Sequence, residues 1–112
     1  MISTHVLDTA RGRPAAGVAV VLERLSAAGE PATLARATTD ADGRVAELLP
    51  PGTALEAGLY RLTFDTGAYF DVSGVEAFYP RVAVLFVVRD AREHHHVPLL
   101  LSPYGYSTYR GS

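Results

Sequence analysis

The chain has 112 residues, a formal net charge of −2 from 10 Lys plus Arg against 12 Asp plus Glu, and 48% hydrophobic residues, the balance of one globular domain with its own core. Cys, Lys, Trp, Asn and Gln are absent. Their absence removes thiolate and Schiff-base chemistry, disulfides, cysteine zinc clusters, phosphate-loop lysines and Asn glycosylation, and the net charge, with no basic cluster, argues against nucleic acid as a partner.

At the N-terminus Met1 is followed by Ile2-Ser3-Thr4-His5, with neither a positive leader nor an apolar signal core, so a cytoplasmic protein is expected. From Gly17 to Arg24, Val18, Val20 and Leu22 alternate with Ala19, Val21 and Glu23, the period of a strand with one face on a core. Thr33 to Thr39 is a second extended run ending in the turn residues Asp40-Ala41-Asp42-Gly43, and the two runs read as a hairpin. Leu48 to Ala57 has some helical character that Pro50-Pro51 spoils. Leu59 to Asp65 puts Tyr60, Leu62 and Phe64 on one face and is the clearest one-sided strand. Ala68 to Ala77 could also be helical, for a short turn or two weakened by Gly74. Val82 to Val88 is apolar on both faces, as a strand covered by a second sheet or a partner subunit would be, and is far short of the roughly 20 residues of a membrane span. Val97 to Leu101 repeats that character before Ser102-Pro103 leads into Tyr104 to Tyr109. The pattern predicts an all-β sandwich of about seven or eight strands, running end to end as a single domain over 1–112.

Candidate chemistry begins with three consecutive histidines. On a strand, His94 and His96 share one face and His95 turns to the other. A His-x-His pair can chelate a metal or shuttle protons, but the same residues also suit a solvated loop-to-strand junction. His5, on the opening strand, is a further partner or an ordinary strand-edge histidine. Arg44, closing the Asp40 to Gly43 turn, can grip a planar anionic ligand through paired hydrogen bonds, although turn arginines are commonly just solvated. The tail Tyr109-Arg110-Gly111-Ser112 would ordinarily be frayed and dispensable.

Taken together, these segments resemble the 5-hydroxyisourate hydrolases, the transthyretin-related proteins of purine catabolism. The resemblance spans the chain: Ser3-Thr4-His5-Val6-Leu7-Asp8-Thr9 with Gly12 and Pro14, Thr39-Asp40 with Asp42-Gly43-Arg44, Tyr69-Phe70, Phe78-Tyr79-Pro80, and His94 through Ser112. The closing Tyr-Arg-Gly-Ser separates the hydrolases from transthyretin, a hormone carrier that shares the fold. His95 departs from the family pattern, in which an aromatic residue is common there.

The resemblance implies a transthyretin-like sandwich of two four-stranded sheets with one short helix, assembled as a homotetramer with sites at the dimer-dimer interface. It implies hydrolysis of the small molecule 5-hydroxyisourate to 2-oxo-4-hydroxy-4-carboxy-5-ureidoimidazoline in urate breakdown. His5 and His96 are the implied proton-handling pair and Arg44 the polarising cation. Tyr109 joins them as a catalytic group, Tyr109, Arg110, Gly111 and Ser112 close the pocket, and His94 contributes to binding. No cofactor or metal is expected. The competing readings are a non-catalytic small-ligand carrier and a metal-dependent hydrolase with His5, His94 and His96 as ligands.

Overall fold

Alternating apolar residues need a surface to bury against, and two sheets supply it to each other. The computed structural model describes residues 1–112. In chain order the elements are β1 (Ile2–Asp8), β2 (Arg13–Pro14), β3 (Ala19–Leu25), β4 (Pro31–Thr38), β5 (Arg44–Val45), β6 (Gly58–Phe64), α1 (Thr66–Val72), β7 (Val82–Val88), β8 (His95–Ser102) and β9 (Gly105–Thr108). One sheet runs β4-β3-β6-β7, all antiparallel. The other runs β2-β1-β8-β9, with β5 also pairing with β1. The two-residue strands β2 and β5 take different stretches of β1, at Leu7-Asp8 and Thr4-His5, so this sheet of five strands is four positions wide. It therefore agrees with the expected pair of four-stranded layers.

The expected hairpin is β3 and β4, with a register shift after Leu22 that accommodates Leu34 as a bulge. Tyr60, Leu62 and Phe64 of β6 are buried against Val20, Leu22, Val82, Val84 and Val88 from their own sheet and Ile2, Val6, Val97, Leu99 and Leu101 from the other. No helix is long and apolar enough to cross a membrane.

Two local expectations are corrected. The helix starts at Thr66, before the expected Ala68, because Asp65 ends its strand and caps the helix, its Oδ1 accepting from the Ala68 N–H at 3.4 Å. It stops at Val72, well before Ala77, since Ser73 takes the C-cap position and Gly74 adopts φ 67°. The stretch from Leu48 to Ala57 contains no helix. Leu48 and Leu49 are buried there, and Pro50-Pro51-Gly52 turns the chain.

Candidate functional site on the outer face of the β1-β8 sheet

Strand parity decides which residues can reach solvent. On β1, Ile2, Thr4, Val6 and Asp8 point into the sandwich and are essentially inaccessible, so Ser3, His5 and Leu7 take the outer face. On β8, His95, Val97, Leu99 and Leu101 point inward, leaving His96 and Pro98 outside. The parallel register places Ser3 beside His96 and His5 beside Pro98, while the short β5 ladder sets Arg44 beside His5 on its other side. The β8-β9 register that pairs Leu99 with Thr108 continues to a bridge between His96 and Gly111, and so aligns Tyr109 with Pro98. Two rows thus cross the outer face: Arg44, His5, Pro98, Tyr109, and beside it Ser3, His96, Gly111.

The turn before β5 holds Arg44 in place. Asp40 Oδ1 accepts from the backbone N–H groups of Asp42 and Arg44, both at 2.9 Å. Gly43 takes φ 75°, and a Cβ there would strike the Val6 carbonyl oxygen, so only glycine lets the turn lie this close to β1. The Arg44 guanidinium itself makes no salt bridge or hydrogen bond within the chain and borders a cleft of about 260 Å³, shared with Ser3, His94, His96 and Ser112. No Asp or Glu side chain lines that cleft. An unpaired guanidinium facing it can accept a planar anion or a developing oxyanion.

The histidines are held individually. His5 Nε2 donates to the Asp42 carbonyl at 2.8 Å, which fixes its hydrogen there and leaves Nδ1 as the free ring nitrogen. Ser3, only 5% exposed, places its Oγ 2.7 Å from His94 Nε2 and 2.8 Å from His96 Nδ1. Partial burial holds His96 below the ordinary histidine range, with His94, Arg44 and His5 adding repulsion of its cation. His96 is therefore held in its neutral, proton-accepting form at neutral pH.

His95 lies on the inward face, 4% exposed, its Nδ1–H donating to the Glu93 carbonyl at 2.9 Å. Period 2 predicts that orientation. Of the tail, Gly111 donates its N–H to the His96 carbonyl at 2.8 Å, and a Cβ on it would collide with His96 Cδ2. Ser112 lines the cleft. Arg110 sits over the His94 carbonyl and 3.8 Å from Glu93, an exposed pairing of small energy. Tyr109 shares the face of His5 but stands two strands away, about 10 Å by strand spacing. It lies outside the cleft, 56% exposed, and borders a separate groove between β7 and β9. No three His, Asp or Glu side chains come together in a metal-holding group, since Ser3 separates His94 from His96 and His5 turns to Asp42. Ser3 is missing from the candidates read off the sequence. Its parity with His5 is the signal that points to it.

A larger hollow of about 560 Å³ beside the β3-β4 turn offers no comparable chemistry. It contains no histidine, and its Arg24 is already paired with Glu56 at 3.2 Å.

A two-sheet sandwich with one short helix and a polar, histidine-bearing outer face has the architecture of the transthyretin-like proteins. Residues 2–111 match the model of the HIUase/Transthyretin family, and the chain belongs to that family. It is 50% identical over 116 residues to 5-hydroxyisourate hydrolase 2 of Rhizobium meliloti, covering 99% of this chain and 95% of the relative. Among solved structures, the Klebsiella pneumoniae 5-hydroxyisourate hydrolase is similar at 45% identity and TM-score 0.86, covering 99% of this chain and 98% of that one. Sea bream transthyretin in complex with thyroxine reaches TM-score 0.90 at 32% identity, covering 98% and 93%. The backbone is thus shared with both a 5-hydroxyisourate hydrolase and a transthyretin that holds thyroxine.

Proposed function

We propose that this protein hydrolyses 5-hydroxyisourate to 2-oxo-4-hydroxy-4-carboxy-5-ureidoimidazoline, a step of urate breakdown. The observation that carries the reading is the convergence of an unpaired Arg44, a neutral His96 and an anchored His5 on one face, in a chain 50% identical to a named hydrolase.

The reaction adds water to a ring carbonyl and breaks the adjoining C–N bond. It needs a base for the water, a cation for the oxyanion and a proton for the leaving nitrogen. His96 Nε2 has no partner in the chain and serves as the base, since its lowered proton affinity keeps it unprotonated at neutral pH. Arg44 binds the polar substrate and stabilises negative charge as it grows on the carbonyl oxygen. His5 Nδ1 meets the substrate from the next position in the row. Tyr109, at the far end of that row and outside the cleft of its own chain, reaches the substrate only in the closed assembly, while Arg110, Gly111 and Ser112 form the wall against His96.

The site lies on an outer face, open to water in one chain, whereas such electrostatic chemistry is strongest where water is excluded. A second copy laid over this face closes it, which supports a homotetramer with sites at the dimer-dimer interface. The edge strands β7 and β9 expose Leu85, Val87 and Tyr106 and offer the other contact. A cytoplasmic location is compatible with a chain that has no disulfide to form. The test is to generate 5-hydroxyisourate from urate in situ and follow its ultraviolet absorbance. Faster decay with the protein supports the hydrolase, and unchanged decay with retained binding supports a carrier.

A further inference from the structure

Ser3 is the one hydroxyl that touches two of the site's imidazoles, at 2.7 Å from His94 Nε2 and 2.8 Å from His96 Nδ1. It is nearly inaccessible, and its backbone is paired beside His96 in the β1-β8 ladder, which holds the hydroxyl next to both rings. We propose that Ser3 is the central member of a proton relay, holding His96 in its Nδ1–H form and passing the proton that His96 gains on to His94.

A hydroxyl has one hydrogen to give and lone pairs to receive. When Ser3 donates to His94 Nε2, it accepts from His96 Nδ1–H, and both rings then carry their single hydrogen on Nδ1. This arrangement leaves His96 Nε2 as a bare lone pair. When that nitrogen takes a proton from the attacking water, Nδ1–H passes its proton to Ser3 Oγ as the Oγ–H proton moves to His94 Nε2. His96 and Ser3 end neutral and His94 ends as the imidazolium. Reversal returns the proton to His96 Nε2–H and from there to the leaving nitrogen.

The direction follows from solvation. His94 is exposed, whereas His96 is partly buried and faces Arg44 from β5 and His5 from β1. Near His94 stand Glu93 and Arg110, which neutralise one another. A cation is therefore better placed on His94. Ser3 acts through His96 and is a positioning residue.

The inference rests on His96 as the base, so its test includes a readout that does not depend on turnover. Nitrogen-15 spectra of the imidazole rings of the full chain, without substrate at pH 7.5, should show Nδ1–H on both His94 and His96. In Ser3→Ala, His94 should revert to the Nε2–H form favoured by free histidine, and Ser3→Thr should keep Nδ1–H. In turnover, Ser3→Ala should lower kcat roughly ten- to hundredfold with KM within about twofold, and Ser3→Thr should recover most of it. His94→Gln, at an exposed position, serves if Ser3→Thr does not fold. Ser3→Ala combined with His94→Gln should then be no slower than the worse single variant, because each breaks the same chain. Nε2–H on both rings in the wild type, or losses that multiply in the double variant, would overturn the relay. A wild-type protein without turnover would instead overturn the hydrolase reading, while the ring spectra still decide the hydrogen arrangement.

Discussion

Gly111→Ala isolates the geometric requirement of the site from its chemistry. The added Cβ would run into His96 Cδ2 and lie 3.2 Å from His96 Cγ and 3.3 Å from Pro98 Cγ. Pro98 is held by the β1 ladder and cannot yield easily, so either the imidazole moves by about 1 Å or the tail lifts and loses its 2.8 Å bond to the His96 carbonyl. A displacement of that size at a reacting group costs on the order of a hundredfold in rate. Gly111 lies beyond β9 and outside the core, so the melting temperature should change by only a few degrees, about 0.5 kcal/mol in a domain this size. The comparison is Gly105→Ala, where a Cβ would meet only Ser102 Oγ at 3.6 Å and activity should be retained. The assay is in situ 5-hydroxyisourate decay at matched protein concentration, with thermal melts alongside. Wild-type kcat in Gly111→Ala would refute the placement of the tail against His96.

Arg44→Lys keeps the charge but loses the planar fork, and turnover should fall roughly ten- to hundredfold, about 1.5 to 3 kcal/mol in the barrier. Full activity in that variant would remove Arg44 from the reaction. Tyr109→Phe should cost about tenfold in kcat/KM with an unchanged melting temperature, and an undiminished rate would leave its hydroxyl without a role. The acid side of pH dependence belongs partly to His96, whose folded value lies below the usual 6.5. As pH falls from about 6.5 toward that lower value, the unfolded chain binds a proton that the folded one resists. Stability is therefore full above the window and lost across it, and His96→Asn should flatten part of the slope of melting temperature against pH. Light scattering should give about 48 kDa, four times the 12.0 kDa chain. A fully active monomer would refute closure of the site by a second copy.

Much of this was legible in the sequence because β-strands write their faces at period 2. Val20 and Leu22, Tyr60 to Phe64, and the opposed orientations of His95 and His96 all follow from parity alone. The chemical residues were legible through the resemblance, since His5, Arg44 and His96 are individually ordinary. Ser3 was not, because its role depends on a parallel register between strands more than 90 residues apart, with |i−j| of 91 to His94 and 93 to His96. The helix was misplaced because Asp65 reads equally well as the last residue of a strand and as a cap. Alternation does not distinguish the two when strand and helix share a boundary.

The same parity separates the residues that hold this backbone together from those that face the site. On β1 the inward positions, Ile2, Thr4 and Val6, are fully buried and hold the two sheets together, whereas Ser3 and His5 bury nothing in that core. On β8 the division is Val97, Leu99 and Leu101 inside and His96 outside. Substitution on the outer face leaves the packing intact, so chemistry can be gained or lost there at little cost in stability. The inverse holds for the inward face, where Leu99→Ala would open a cavity costing about 2 to 5 kcal/mol and would shift β8 with every outer-face residue it carries. The site is thus free to vary in identity but not in position, and its precision comes from a core that contributes no reacting atom.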